Sequence, residues 1–204
     1  MQECGRVLMP VGDFVEDYEA MVPYQMLLLV GLRVDVVSPG KKPGDSVRTA
    51  IHDFEGDQTY SEKPGHRFAI TADFAALAPA TVAGKYDALV IPGGRAPEFL
   101  RLDAKLIAVV QAFATAGKPI AAVCHGPQIL TAADVVRGVR GTCYPAVRPE
   151  WESAGGIWCD ANETFSNAVT DGNFITAPAW PAHPAWIGAL LTRLGIPGFG
   201  TPSH

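Results

Sequence analysis

Charge is scarce in this chain: 18% of its 204 residues are Asp, Glu, Lys or Arg, and the net charge of −5 is spread without a basic stripe. That scarcity argues against nucleic acid as a partner and equally against anionic membranes. No apolar run approaches the ~20 residues a membrane span requires. Met1-Gln2-Glu3-Cys4-Gly5-Arg6 also lacks the charged start and apolar stretch of a signal peptide, so a cytoplasmic protein is expected. Cysteine is sparse and unpaired in pattern: Cys4, Cys124, Cys143 and Cys159 form no CxxC, which leaves no basis for a zinc site or a disulfide framework. The GxGxxG and GxxxxGK[ST] spacings are missing, so a dinucleotide or phosphate cradle is not expected either. There is no internal repeat and no low-complexity tract. What the chain does have is 48% hydrophobic residues, enough for one well-buried domain over residues 1–204.

Apolar strands alternate with helical patterns along the chain, which predicts a doubly wound, mostly parallel α/β sheet with its ligands at the carboxyl ends of the strands. Strands are expected at Arg6 to Val11, Arg33 to Ser38, Asp87 to Pro92 and Pro119 to Val123, with helices from about Tyr18 to Leu32, Asp103 to Ala116 and Pro127 to Val136. Gly138 to Tyr144 reads as a further strand and Glu150 to Ala154 as a short helical piece. Phe165 to Val169 and Phe174 to Ala177 read as a hairpin around Thr170-Asp171-Gly172-Asn173, and Trp186 to Leu194 as the closing helix. Between Lys41 and Ala80 the periodicity weakens and Pro-Gly pairs punctuate the chain. That stretch is either a long functional excursion with short strands of its own or a small edge hairpin.

The chemistry concentrates where the buried run Pro119-Ile120-Ala121-Ala122-Val123 stops on Cys124-His125-Gly126-Pro127. A strand that turns into a helix through one residue lifts that side chain out of the sheet, as in a nucleophile elbow, here carrying sulfur. Helix N–H groups then favour the thiolate. His125 is not expected to fold back on the sulfur of its own neighbour; it is expected to hold a carboxylate and lend a backbone N–H to an oxyanion site, or else simply to cap the turn. Cys4, Cys143 and Cys159 read as inert buried thiols. Gly93-Gly94 directly after a strand lets backbone approach a ligand closely. Glu16, Asp17 and Glu19 complement a helix dipole in the plainest account. His52, Asp53, His66 and His183 fit no standard zinc spacing, so structural or substrate-lining roles are expected of them rather than metal ligation. Tyr144, Trp180 and His183 follow strands and are expected either at the mouth of the pocket or as packing.

The segments Tyr86-Asp87-Ala88-Leu89-Val90-Ile91-Pro92-Gly93-Gly94-Arg95-Ala96-Pro97-Glu98 and Gly117-Lys118-Pro119-Ile120-Ala121-Ala122-Val123-Cys124-His125-Gly126-Pro127-Gln128-Ile129-Leu130 resemble the ThiJ/PfpI superfamily. The similarity extends over nearly the whole chain. The insert from Thr49 to His66 is most similar to a tandem-domain plant branch of glutathione-independent glyoxalases. The resemblance implies a flavodoxin-like sandwich in one ThiJ/PfpI-like (class I glutamine amidotransferase-like) domain. It assigns Cys124 as nucleophile, Glu19 as the acid hydrogen-bonded to the sulfur, and His125 as the histidine after the nucleophile. Gly94 and the His125 N–H match the oxyanion site. Glu98 matches a glutamate that such subunits lend to a neighbour, so a homo-oligomer (dimer, trimer or hexamer) is implied.

Physical chemistry adds that Glu19 must be protonated to donate to the sulfur, which requires burial. Thiolate addition to a small aldehyde, with Glu19 or His125 moving protons, needs only a small pocket. The reading is a glyoxalase III-like enzyme, turning methylglyoxal or glyoxal into lactate or glycolate with no cofactor or metal. The runner-up is an intracellular cysteine peptidase or amidase of PfpI type. A third reading is a redox-sensing or chaperone-like stress protein in which Cys124 is oxidised rather than turned over.

Overall fold

The structure is a computed structural model, and it describes residues 5–199. Cys4, expected to be inert, lies outside the described residues. β1 (Arg6–Pro10) is followed by the two-residue β2 (Val15–Glu16), α1 (Asp17–Leu29) and β3 (Arg33–Val37). The long strands β4 (Ser46–Asp53) and β5 (Ser61–Ala69) come next, then α2 (Pro79–Lys85), β6 (Ala88–Ile91), α3 (Ala96–Leu100) and α4 (Ala104–Thr115). The second half comprises β7 (Ile120–Val123), α5 (Pro127–Ala132), β8 (Arg140–Gly141), α6 (Arg148–Ser153), β9 (Ile157–Trp158), β10 (Val169–Asp171), β11 (Phe174–Ala177) and α7 (His183–Arg193).

The main sheet has the order β10-β11-β7-β6-β1-β3. All its pairs are parallel except β10 with β11. Every residue of β6, β7 and β11 is buried, as strands covered on both faces by helices require. The helices supply that cover through one apolar stripe each. In α4 the stripe is Leu106, Val109, Val110 and Phe113, and Asp103 caps the helix by accepting from the Leu106 N–H at 2.8 Å. This is the expected flavodoxin-like sandwich. Its strand order reverses between β1 and β6, and a crevice opens at their carboxyl ends beside β7.

Residues 41–80 do not add an edge hairpin to that sheet. β4 and β5 pair antiparallel and join β2 in a separate three-stranded sheet. An isolated bridge between Val15 and Gly94 carries this second sheet to the loop after β6, above the crevice. α2 and α3 were not expected, being too short for a periodic pattern to show. The expected strand over Gly138 to Tyr144 is only Arg140–Gly141. The second hairpin is shifted: Phe165 to Ala168 is loop, the strand is Val169–Asp171, and the turn is Gly172-Asn173 with Gly172 at φ +58°. Asp171 pairs with Phe174, so a two-residue turn closes the ribbon and draws Thr170 and Asp171 into the strand. α1 stops at Leu29 rather than Leu32, where Gly31 turns the chain at φ +84°. α5 likewise ends at Ala132, four residues before Val136, and α7 starts three residues before Trp186, at His183. Among the described residues no helix is long and apolar enough to cross a membrane.

Candidate active site

Cys124 follows the last residue of β7 and takes φ +59°, a left-handed conformation that costs a non-glycine residue about 1–3 kcal/mol. Three backbone bonds hold it there: its N–H donates to the Ala177 carbonyl at 3.0 Å, its carbonyl accepts from the Tyr144 N–H at 3.0 Å, and the Gly126 N–H donates to the Val123 carbonyl at 2.8 Å. The turn aims the sulfur away from the sheet into a pocket and places the Gly94 and His125 N–H groups against it.

Glu19 reaches the sulfur from the first turn of α1 and is fully buried. Its Oε2 accepts from the Gly93 N–H at 2.9 Å, while Oε1 has no hydrogen-bond partner among the described residues. The Cys124 thiol is the polar side chain bordering the carboxyl. Burial, then the neighbouring Glu16 carboxyl, raises the Glu19 pKa well above the ordinary carboxylate range. A protonated Glu19 carboxyl is what this burial favours, and it can donate to the neighbouring sulfur. Gly93 is packed so tightly here that a Cβ would lie 2.5 Å from Glu19 Oε2 and 2.7 Å from Cys124 Cβ. Gly94, at φ +74°, would bring a Cβ to 2.3 Å from the Glu16 N.

Glu16 was read at first as dipole complementarity. It does cap α1, its Oε2 accepting from the Glu19 N–H at 2.8 Å, but it is also buried and lines the pocket. Burial pushes its pKa up to about 7, against the lowering effect of the Glu19 and His52 amides. The Cys124 thiol is raised well above its ordinary value as well, by burial first and then by Glu19. The expected thiolate-favouring turn is thus opposed by a dry site holding three acids. They cannot all ionise, so a proton on Glu19 is what releases the sulfur.

His125 corrects the expectation about its ring. The ring does fold back, and Nδ1 lies 3.2 Å from the Cys124 Sγ. The tight left-handed turn at Cys124 brings the two neighbouring side chains together, where an extended backbone would point them apart. Burial and nearby His52 lower the His125 pKa to about 4, so the imidazole is neutral near pH 7 and able to accept a proton.

The walls of the pocket come from three places. Phe54, Tyr60 and His52 descend from the second sheet, Tyr144 follows β8, and Trp180 follows β11. Tyr144 stacks on the His125 ring at 5.0 Å, and Tyr60 meets the same ring edge-on at 5.8 Å. The Tyr60 phenol is pushed up to about 12 by burial and by the neighbouring Cys124. Only about 10 Å³ of cavity remains, room for one water. Phe54 is not singled out by the sequence, because its role depends on where the β4–β5 turn lands; its one sequence signal is an aromatic at a strand end, two residues after His52.

Of its two expected places, His183 takes the packing one and not the pocket mouth. It is buried against Trp186, with ring centroids 5.8 Å apart, and does not line the pocket; burial lowers its pKa to about 4. It opens α7 instead of a loop, which turns the ring into the core. Glu98 is exposed on α3 and is not brought to Cys124 within the chain. His66 and Asp53 also stay away from the sulfur, His66 bonding to Asp17 at 3.1 Å and Asp53 to Lys63 at 3.4 Å. Cys143 is buried and its thiol raised by that burial. Among the described residues no group of three or more His, Cys, Asp or Glu is placed to hold a metal.

Comparison with known proteins identifies the family. The model of the DJ-1/PfpI family matches residues 5–193. The chain is 51% identical over 191 residues to protein DJ-1 homolog D of Arabidopsis thaliana, across 94% of this chain and 48% of that protein. It spans about half the length of that and two further Arabidopsis relatives, 48% and 46% of them. It is 34% identical to deglycase PfpI of Pyrococcus furiosus, across 93% of this chain and 99% of that protein. Among solved structures, a two-domain protein of Anabaena variabilis with DJ-1/ThiJ/PfpI-like and ferritin-like domains superposes with a TM-score of 0.76 at 28% identity, covering 95% of this chain and 50% of that one. Schizosaccharomyces pombe DJ-1 shares the fold, with a TM-score of 0.76 at 19% identity over 93% of this chain and 91% of that one. With a family match over residues 5–193 and relatives such as PfpI matched along their whole length, this chain belongs to the DJ-1/PfpI family.

Proposed function

We propose that the protein is a glutathione-independent glyoxalase of the glyoxalase III type, converting methylglyoxal to lactate and glyoxal to glycolate at Cys124. The observation that carries this reading is the Cys124 Sγ set 3.2 Å from Nδ1 of a histidine that burial keeps neutral, in a small pocket beside a protonated acid. The sulfur, its proton passing to His125, adds to the aldehyde carbon of methylglyoxal. The oxygen of the resulting hemithioacetal is held by the Gly94 and His125 N–H groups. His125 returns its proton to that oxygen, and the imidazole, neutral again, then removes the hydrogen from the former aldehyde carbon as a proton. The enediol collapses as the neighbouring carbon is protonated, leaving a thioester. Water hydrolyses it to lactate and frees the thiol. One carbon is oxidised and its neighbour reduced, so no external electron acceptor enters the balance.

The runner-up from the family resemblance, a peptidase or amidase, requires an extended chain at the sulfur, and the rings of Phe54, Tyr60, Tyr144 and Trp180 crowd that approach. A second reading, deglycation, draws on the names of relatives at 34–37% identity called deglycases. Proton NMR of methylglyoxal turnover in D2O separates the cases. Lactate carrying deuterium at C2 from wild type, and none from Cys124→Ala, is the expected result. Lactate formed equally fast by Cys124→Ala would sink the reading. Release of free amine from a methylglyoxal adduct of N-acetyllysine faster than the adduct's own dissociation would favour deglycation.

A further inference from the structure

The pocket is narrow for the substrate it is proposed to take. Methylglyoxal is bulkier than a water, and the space over Cys124 has room for about one water. One wall must move. Glu16, Glu19, Cys124 and His125 are buried in the core elements. Tyr144 is tied by its N–H to the Cys124 carbonyl at 3.0 Å and stacked on His125. Trp180 is packed edge-on against Tyr18 at 5.5 Å and opens a helical turn whose Ala182 N–H donates to Ala179.

Phe54 is held differently. It is the first residue after β4, whose pairing with β5 ends at Asp53 and Ser61. Among the described residues no backbone hydrogen bond outside the strands involves residues 54–60. The Phe54 ring is 43% exposed, yet its faces are taken by other rings: Tyr144 lies near-parallel at 6.2 Å and 13°, and Trp180 at 6.3 Å and 22°. Phe165 leans on it at 5.7 Å. A side chain of this chain therefore fills an aromatic subsite in the pocket that holds the sulfur, and with Tyr60 it belongs to the wall least fixed by backbone.

We infer that Phe54 is the specificity-determining residue of the pocket, filling a subsite between Tyr144 and Trp180 that otherwise takes the flat side group of an aryl α-oxoaldehyde. The inference rests on the glyoxalase reading for its substrate class but not for its geometry. With Phe54 in place, only the smallest oxoaldehydes fit over Cys124 after a small outward swing. With the ring removed, the exposed faces of Tyr144 and Trp180 accept a phenyl group by stacking.

Two measurements on wild type, Phe54→Ala and Phe54→Trp test this. The first compares kcat/KM for phenylglyoxal, read as mandelate, with that for methylglyoxal, read as lactate. Phe54→Ala is expected to raise the phenylglyoxal-to-methylglyoxal ratio at least tenfold, and Phe54→Trp to leave it at or below the wild-type value. The second compares alkylation of Cys124 by N-phenylmaleimide and by iodoacetamide, resolved from the other cysteines by peptide mass spectrometry. Phe54→Ala is expected to accelerate the bulky reagent at least tenfold more than the small one. Ratios within twofold of wild type in both experiments overturn the inference. Turnover of neither aldehyde together with the shifted alkylation ratio would sink the glyoxalase reading and keep the gate; turnover with unshifted ratios would do the reverse.

Discussion

Glu16 shows how one side chain holds two duties that conflict in pH. As the cap of α1 it accepts the Glu19 N–H, and as a buried acid its pKa is pushed up to about 7 in the fold. A carboxyl whose folded value lies above its unfolded value stabilises below the unfolded value, and that contribution is lost as pH rises through about 7. Glu16→Gln keeps an acceptor for the cap and removes the titration. Its melting temperature relative to wild type is therefore expected to climb steadily between pH 4.5 and 8; a pH-independent difference would contradict the burial argument. His183 runs the other way, because burial holds it neutral with a value of about 4. Its contribution is present above 6.5 and lost as pH falls to 4, an effect of about 3 kcal/mol at most. His183→Leu should flatten the acid limb of the melting curve over that window, while an unchanged limb would place the acid sensitivity elsewhere. At Gly94 the argument is steric. A Cβ would meet the Glu16 N at 2.3 Å and φ is +74°, so Gly94→Ala is expected to cost about 1–3 kcal/mol and to lower kcat for methylglyoxal as the amide leaves the sulfur.

At the scale of elements, the β4–β5 hairpin decides how the sulfur meets solvent. It is pinned to the loop after β6 by Glu62, which receives Arg95 Nε at 2.7 Å and Nη2 at 2.9 Å and sits 3.0 Å from His52 Nε2. Arg95 first, then His52, lowers the Glu62 carboxyl. Both partners of the Arg95 pair are over a third exposed on their side chains, so the pair adds little to global stability. Its effect is local. Glu62→Ala is expected to speed amide hydrogen exchange across 46–69 and alkylation of Cys124, leaving β6 and β7 as protected as in wild type. Equal loss of protection in both sheets would mean that the hairpin and the core unfold as one unit.

For the molecule as a whole, the exposed Glu98 and its neighbours bear on assembly. Phe99 is 64% and Leu102 78% exposed beside it, an apolar patch around a carboxylate that makes no contact with the Cys124 pocket in its own chain. If Glu98 serves a neighbouring subunit, mass in solution exceeds the 21.6 kDa of one chain, and Phe99→Glu lowers both mass and lactate formation while Glu98→Ala lowers lactate formation alone. A fully active monomer would remove Glu98 from the site.

Much of this was legible in the residues. The doubly wound sheet, the strand ending on Cys124 and the Gly93-Gly94 approach follow from local patterns, since strand period, helix stripe and turn residues act over a few neighbours. The Phe165 strand and the long Gly138 strand misread the same kind of pattern, because short apolar runs fit loop and strand alike.

Cys124, its elbow and the fold class were determined by sequence alone, because an apolar strand running into Cys-His-Gly-Pro permits few backbones. Only the tertiary structure decided the rest: that His125 turns back on the sulfur, that Glu16 and Glu19 share a dry pocket with it, that His183 is core, and that Phe54 closes the mouth. Each depends on burial and on contacts between residues far apart in the chain, and those are set by how the two sheets are laid against one another.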